Sequence, residues 1–175
     1  MERELLLLGA LRQQAMHGYQ LHEFIERALA SCTDLKKSTA YMLLDKMAAA
    51  GWIMQKETRA GNRPPRRVYR LTSAGEVKFQ ELLRANLASH ANARFGGDIG
   101  LAFLDALKPA EALELLAQRR AVLEASFNAA NAAPAHEGSL QFVIEHQQRH
   151  LAVELEWLDE VMARLSQKPS RAKAR

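Results

Sequence analysis

Residues 38–72 read STAYMLLDKMAAAGWIMQKETRAGNRPPRRVYRLT, and a change of hydrophobic period inside this stretch decides the fold. Ala40, Leu43, Leu44, Met47 and Ala48 recur at helical spacing, so one face of a helix is apolar. Ser38 or Thr39 stands where a hydroxyl can cap its first amides, and Gly51 stands where a left-handed residue costs least. WIMQKE and RRVYRLT then favour extended chain, and the segment 60–65 between them holds Gly61, Asn62 and two prolines. Two β-prone runs around such a segment predict a hairpin. Its tip is strongly basic, with Lys56, Arg59, Arg63, Arg66, Arg67 and Arg70 spread across it, while Val68 and Leu71 are available to hold it to a core.

Upstream, residues 3–13 are apolar around most of a helix, as expected of an element covered on more than one side. Gly18 breaks the pattern before Leu21, Phe24, Ile25 and Leu29 set a second helical stripe, so two helices meet at the His17–Gly18 corner. Downstream, TSAGEVKFQELL predicts a Ser73–Glu76 capping box ahead of Val77, Leu82, Leu83 and Leu87. Three helices, a basic hairpin and a fourth helix form the winged helix-turn-helix order. The third helix then enters a DNA major groove and the hairpin tip follows the flanking backbone or minor groove.

Charge supports that division of labour. Residues 1–80 carry 13 Lys/Arg against 8 Asp/Glu, whereas residues 81–165 carry 7 against 12. The first half is built to meet an anion and the second is not. Lys36, Lys37, Ser38, Thr39 and Lys46 of the third helix, with Arg59, Arg63, Arg66 and Arg67 of the wing, are the expected DNA-binding residues. Tyr41 joins them either as a core aromatic or through a hydroxyl that reaches a phosphate. A lone cysteine, Cys32, fits a reducing cytoplasm, and ELLLLGAL is too short to cross a membrane.

FGGDIG, with Gly96, Gly97 and Gly100, is the expected hinge. The fold class is therefore mainly α with a small β-hairpin. A winged helix-turn-helix N-terminal domain covers 1–92, a helical C-terminal dimerisation domain covers 98–166, and a disordered basic tail covers 167–175. In the helix opened by Pro109, Leu113, Leu116, Arg120, Leu123 and Phe127 form a seam interrupted by one arginine. The last helix has two apolar stripes. Ile144, Leu151, Leu155, Leu158 and Met162 form one, which is assigned to a homodimer interface because a helix apolar on opposite sides must be covered twice. Val143, His146, His150, Val153, Trp157 and Val161 form the other. His146, His150 and Trp157, with Arg12 and His17 from the first helices, are the candidate site for a flat aromatic acid; plain packing fits the same residues.

LLLLGALRQQAMHGYQLHEFIE, STAYMLLDKMAAAGWI and RRVYRLTSAGEVKFQELL resemble, in order and spacing, the N-terminal domain of the PadR family of bacterial transcriptional regulators. The resemblance covers about residues 4–88. Beyond it, only length and the EWLDEV ending resemble the longer members. It implies a homodimeric regulator, more often a repressor than an activator, that leaves its operator when a phenolic acid or a drug binds. Met42 departs from the family's pattern, in which that position is often basic.

Other functions lack parts. No nucleophile and base stand at motif spacing and no glycine-rich phosphate loop follows a strand, so an enzyme is not expected, and no cofactor or metal is required. His146 and His150, four apart on one helical face, leave a metal-responsive regulator as the alternative, beside an activator that has no small-molecule ligand. A purely scaffolding helical protein leaves the basic wing unexplained.

Overall fold

The computed structural model describes residues 1–28, 35–58, 66–90, 92–93 and 95–167. It divides into two units, Met1–Ala93 and Arg94–Arg175.

The first unit holds α1 (Glu2–Gln13), β1 (Met16–His17), α2 (Gly18–Ala28), α3 (Lys37–Ala49), β2 (Ile53–Thr58), β3 (Arg66–Leu71) and α4 (Ser73–Ala88). The strands form an antiparallel three-stranded sheet in the order β1-β3-β2. The hairpin expectation holds, with Ile53 opposite Leu71 and Thr58 opposite Arg66. β1 is an addition: Met16 pairs with Tyr69 and His17 with Val68, so the corner between α1 and α2 is a strand as well as a turn.

The core is built from the stripes expected of α1, α2 and α3. Leu7, Leu8, Leu21, Leu44, Met47 and Tyr69 are completely or almost completely buried, with Ile25, Ile53 and Leu82 beside them. Each large apolar side chain so covered contributes about 1.5–3 kcal/mol, far more than any helix propensity in the unit. Tyr69, not Val68, anchors the wing: Val68 is half-buried whereas Tyr69 has no exposed surface. Leu29 of the α2 stripe and Cys32 lie outside the described residues.

Two helix ends differ from expectation. α3 starts one residue before Ser38, on an extended Lys36, and no side chain caps it; Ser38 and Thr39 fall within its first turn. At α4 the cap is Thr72, whose Oγ1 accepts from the Gly75 amide at 3.0 Å. Ser73 is already helical. The same Thr72 hydroxyl lies 2.7 Å from the Gly51 carbonyl oxygen and 2.9 Å from that of Trp52, to which it donates. Thr72 caps the helix and also fastens it to the corner between α3 and β2.

That corner has the expected glycine: Gly51 takes φ +72°, and its amide and that of Trp52 bond back to Ala48 and Met47. Gly75 is required for a different reason, since a methyl group there would overlap the Trp52 carbonyl oxygen.

In the second unit a short α5 (Asp98–Ala102) and a single 3₁₀ turn (Leu104–Ala106) precede α6 (Pro109–Ala132) and α7 (Leu140–Gln167). α6 and α7 pack side by side. Arg119 reaches Glu154 at 2.8 Å, Arg120 reaches Asp159 at 2.6 Å, and Gln148 donates to the Ala130 carbonyl at 3.0 Å. Ala130, late in α6, meets Gln148, early in α7, whereas Arg119 and Arg120 meet later residues of α7, so the pair is antiparallel. The arginine that interrupts the α6 seam is therefore its inter-helix clasp. Its guanidinium holds the Asp159 carboxyl below the ordinary carboxylate range.

Candidate nucleic-acid interface

α3 turns Ala40, Leu43, Leu44 and Met47 into the core and leaves Lys36, Lys37, Ser38, Met42, Asp45, Lys46 and Ala49 exposed. Its first amides lack intrahelical partners and no acidic residue stands in its first turn, so the two lysines add to a helix end that already favours anions. Thr39 is half-buried. Tyr41 is half-buried and packs against the core. It also seats α3 on α2: a methyl group at Gly18 would come within 2.7 Å of the Tyr41 ring, so Gly18 permits the close approach that fixes the angle of α3.

Lys46 leans back to Glu4 at 3.6 Å, although its side chain keeps 68% of its surface exposed. Arg67, on the β3 face that carries Tyr69, reaches Asp45 of α3 at 3.2 Å. This pair bridges helix and wing directly above Tyr69, and burial pushes the Tyr69 phenol upward. Arg66 opens β3, its backbone paired with Thr58. Arg59 and Arg63 lie outside the described residues. Sequence reasoning missed Asp45; the available signal was its i+7 spacing from Ser38, on the polar side of the helix.

The five residues expected to hold an effector fall in both units. In the first, the Arg12 Nε donates to both Glu76 oxygens at 3.0 and 2.9 Å, and its guanidinium lies over the Phe79 ring. His17 stacks on Tyr19 with ring centroids 5.6 Å apart, and its buried Nδ1 has no hydrogen-bond partner among the described residues. In the second, His146 is exposed, His150 stacks on Phe95 and lies 3.7 Å from a Glu154 carboxylate oxygen, and Trp157 is 40% exposed. Among the described residues no group of three or more His, Cys, Asp or Glu could hold a metal ion. None of their helices is long and apolar enough to cross a membrane.

The two stripes of α7 differ in how far the chain covers them. Leu158 has no exposed surface, and Ile144, Leu151, Leu155 and Met162 are partly covered. Of the two stripes this is the one the chain itself covers more. The side left bare holds Phe142 at 72%, Val153 at 63% and Trp157 at 40% exposure, which share one sector with His146 and His150 at about 100° per residue.

Residues 7–81 match the transcriptional regulator PadR-like family. PadR of Bacillus subtilis in complex with operator DNA has a TM-score of 0.82 at 19% identity, over 94% of this chain and 99% of that one. The same regulator in complex with p-coumaric acid has a TM-score of 0.74 at 20% identity, over 94% and 98%. A PadR-like transcriptional regulator of Bacillus cereus follows at 0.72 and 14%, over 94% and 96%. At these identities the likeness is one of fold. No curated protein sequence matches the chain.

Proposed function

We propose that this chain, whose residues 7–81 match the transcriptional regulator PadR-like family, is a sequence-specific repressor that binds its operator as a homodimer in the cytoplasm and has no enzymatic activity. The observation that carries the reading is the exposed, cationic start of α3, on a helix that Arg67 of β3 reaches at Asp45. Lys36, Lys37 and the free amides of α3 take phosphates at the groove edge. The wing arginines take the flanking backbone. Phosphate contacts set register and orientation, and the outward face of α3 meets the base edges.

The bare α7 stripe of Phe142, Val153 and Trp157 supports a second copy of the chain, since its large apolar groups otherwise stay in water. A two-fold dimer places two α3 helices in successive major grooves, about 34–36 Å or a multiple apart, on a pseudo-palindrome. The p-coumaric acid complex of the Bacillus subtilis regulator supports an aromatic acid as effector. Release follows only where such a ligand binds the DNA-competent and DNA-incompetent arrangements with different affinity.

The test is fluorescence anisotropy on an operator selected from a random duplex pool, with light scattering for mass. The parent is expected to bind as a dimer, and Val153→Glu with Trp157→Glu to be a folded monomer with most of the affinity lost. Failure to enrich any duplex refutes DNA recognition; a dimeric double variant refutes the interface.

A further inference from the structure

Ser38, Met42, Asp45 and Ala49 occupy one narrow sector of α3 at about 100° per residue, and all four are exposed. No cation stands in that sector. Lys36 and Lys37 sit at the helix end, and Lys46 is turned toward Glu4. At its centre are a methionine with 62% of its surface exposed and a carboxylate with 59% of its side chain exposed. The residues at either end, Ser38 and Ala49, are small enough to let a large body approach.

Such a surface is poorly made for phosphate. An aspartate facing a polyanion is repelled on every sequence, so it lowers affinity unless it finds a donor at the partner's surface. The major groove presents such donors and also presents methyl groups: the N4 amino group of cytosine suits a carboxylate, and the 5-methyl group of thymine suits an apolar side chain. Methionine is unbranched and polarisable, and fits an irregular apolar edge. The Asp45–Arg67 contact involves one carboxylate oxygen, Oδ1, at 3.2 Å. It brings a compensating cation from the wing, while among the described residues Oδ2 is left for a second donor.

Resting on the reading that α3 enters the major groove, we propose that Met42 and Asp45 are the specificity-determining residues of this protein, with Met42 packing on the 5-methyl group of a thymine and Asp45 accepting from the amino group of a cytosine close to it. The lysines and wing arginines supply affinity, and these two supply discrimination.

The full-length parent, Met42→Ala and Asp45→Asn are each taken through operator selection from a random duplex pool, and every thymine of the parent's operator is replaced singly by uracil. One thymine per half-site is expected at which loss of the methyl group weakens the parent about fourfold, the scale of one buried methyl group. Met42→Ala is indifferent to that change. Asp45→Asn selects operators that lose their preference at one cytosine per half-site, and binds random duplex at least as tightly as the parent. Because both side chains are exposed, both variants should melt with the parent. An operator with no uracil-sensitive thymine, uracil sensitivity retained in Met42→Ala, or an unchanged operator selected by Asp45→Asn each overturns the proposal. A parent that enriches no duplex overturns instead the DNA-binding reading beneath it.

Discussion

Replacing Thr72 with valine removes a hydroxyl while keeping its shape, so it isolates the junction that ties α4 to the end of α3 and the root of the wing. The hydroxyl accepts from the Gly75 amide and donates toward the Gly51 and Trp52 carbonyls. Loss of an N-cap of this kind costs about 1 kcal/mol. Gly75 is buried, so water cannot replace the lost acceptor and a further penalty of about 1 kcal/mol follows for the orphaned amide. The carbonyls retain other donors: the Thr72 amide still reaches the Trp52 oxygen at 3.1 Å, and Gly51 is exposed. The expected loss is therefore about 2 kcal/mol, or a fall in melting temperature of roughly 10 °C for a unit of this size. Thr72→Ser keeps the donor and the acceptor and should lose less than half of that. Urea and thermal unfolding followed through Trp52 fluorescence, in a Trp157→Phe background, measure both. A Thr72→Val variant that melts within about 3 °C of its parent would refute the claim that this hydroxyl holds the junction.

The remaining predictions concern the placement of α3, its cations and the α6–α7 clasp. Gly18→Ala drives a methyl group into the Tyr41 ring, so it should cost about 1–3 kcal/mol of stability and weaken operator binding; Tyr41→Leu in the same chain should recover part of both, read by melting and anisotropy. Lys36→Ala with Lys37→Ala removes four cations from a dimer and should reduce the slope of log affinity against log salt by about 3.6, at roughly 0.9 per phosphate contact; an unchanged slope removes both lysines from the interface. The Asp159 carboxyl lies below its ordinary 3.8 because Arg120 holds it ionised, so its contribution is complete above that pH and lost as pH falls through the lower folded value. Asp159→Asn should consequently lower the urea midpoint at pH 7, and the gap to the parent should close on acidification below 3.8; a gap independent of pH would show that the ion pair is not its source.

The winged helix was legible because its signals are local and agree with one another. Ala40, Leu43, Leu44 and Met47 repeat at the helical period and are the residues buried, and Gly51 ends the helix with the positive φ that its position demands. What escaped depends on contacts distant in sequence. Met16 and His17 are too few to show a period, and become a strand only because Tyr69 and Val68 arrive beside them. Thr72 and Ser73 are both good caps by composition; the choice falls to the hydroxyl that can also reach the Gly51 and Trp52 carbonyls. The Asp45–Arg67 bridge joins residues of two elements whose approach is set by the Tyr69 anchor beneath them.

The unequal cover of the two α7 stripes follows from what periodicity omits. A period shows that a helix has two apolar stripes and says nothing about which is covered by its own chain, because Leu158 and Val153 contribute similarly to an apolar pattern. Charge distinguishes them. Arg119 and Arg120 stand beside the α6 seam, and Glu154 and Asp159 flank Leu155 and Leu158, so antiparallel pairing places opposite charges at both edges of the leucine stripe. Pairing α6 with the Val153 stripe instead would separate those charges and leave Leu158 bare. A stripe bordered by complements of a neighbouring helix belongs to that neighbour. By the same argument the Val153–Trp157 stripe, whose histidines find no such complement on α6 among the described residues, is the one the chain leaves exposed. A second copy of the chain covering Phe142, Val153 and Trp157 would also enclose His146 and His150. An aromatic acid that binds there would then act on the dimer interface itself, and Val153→Glu should abolish the mass of the dimer and the response to the acid together.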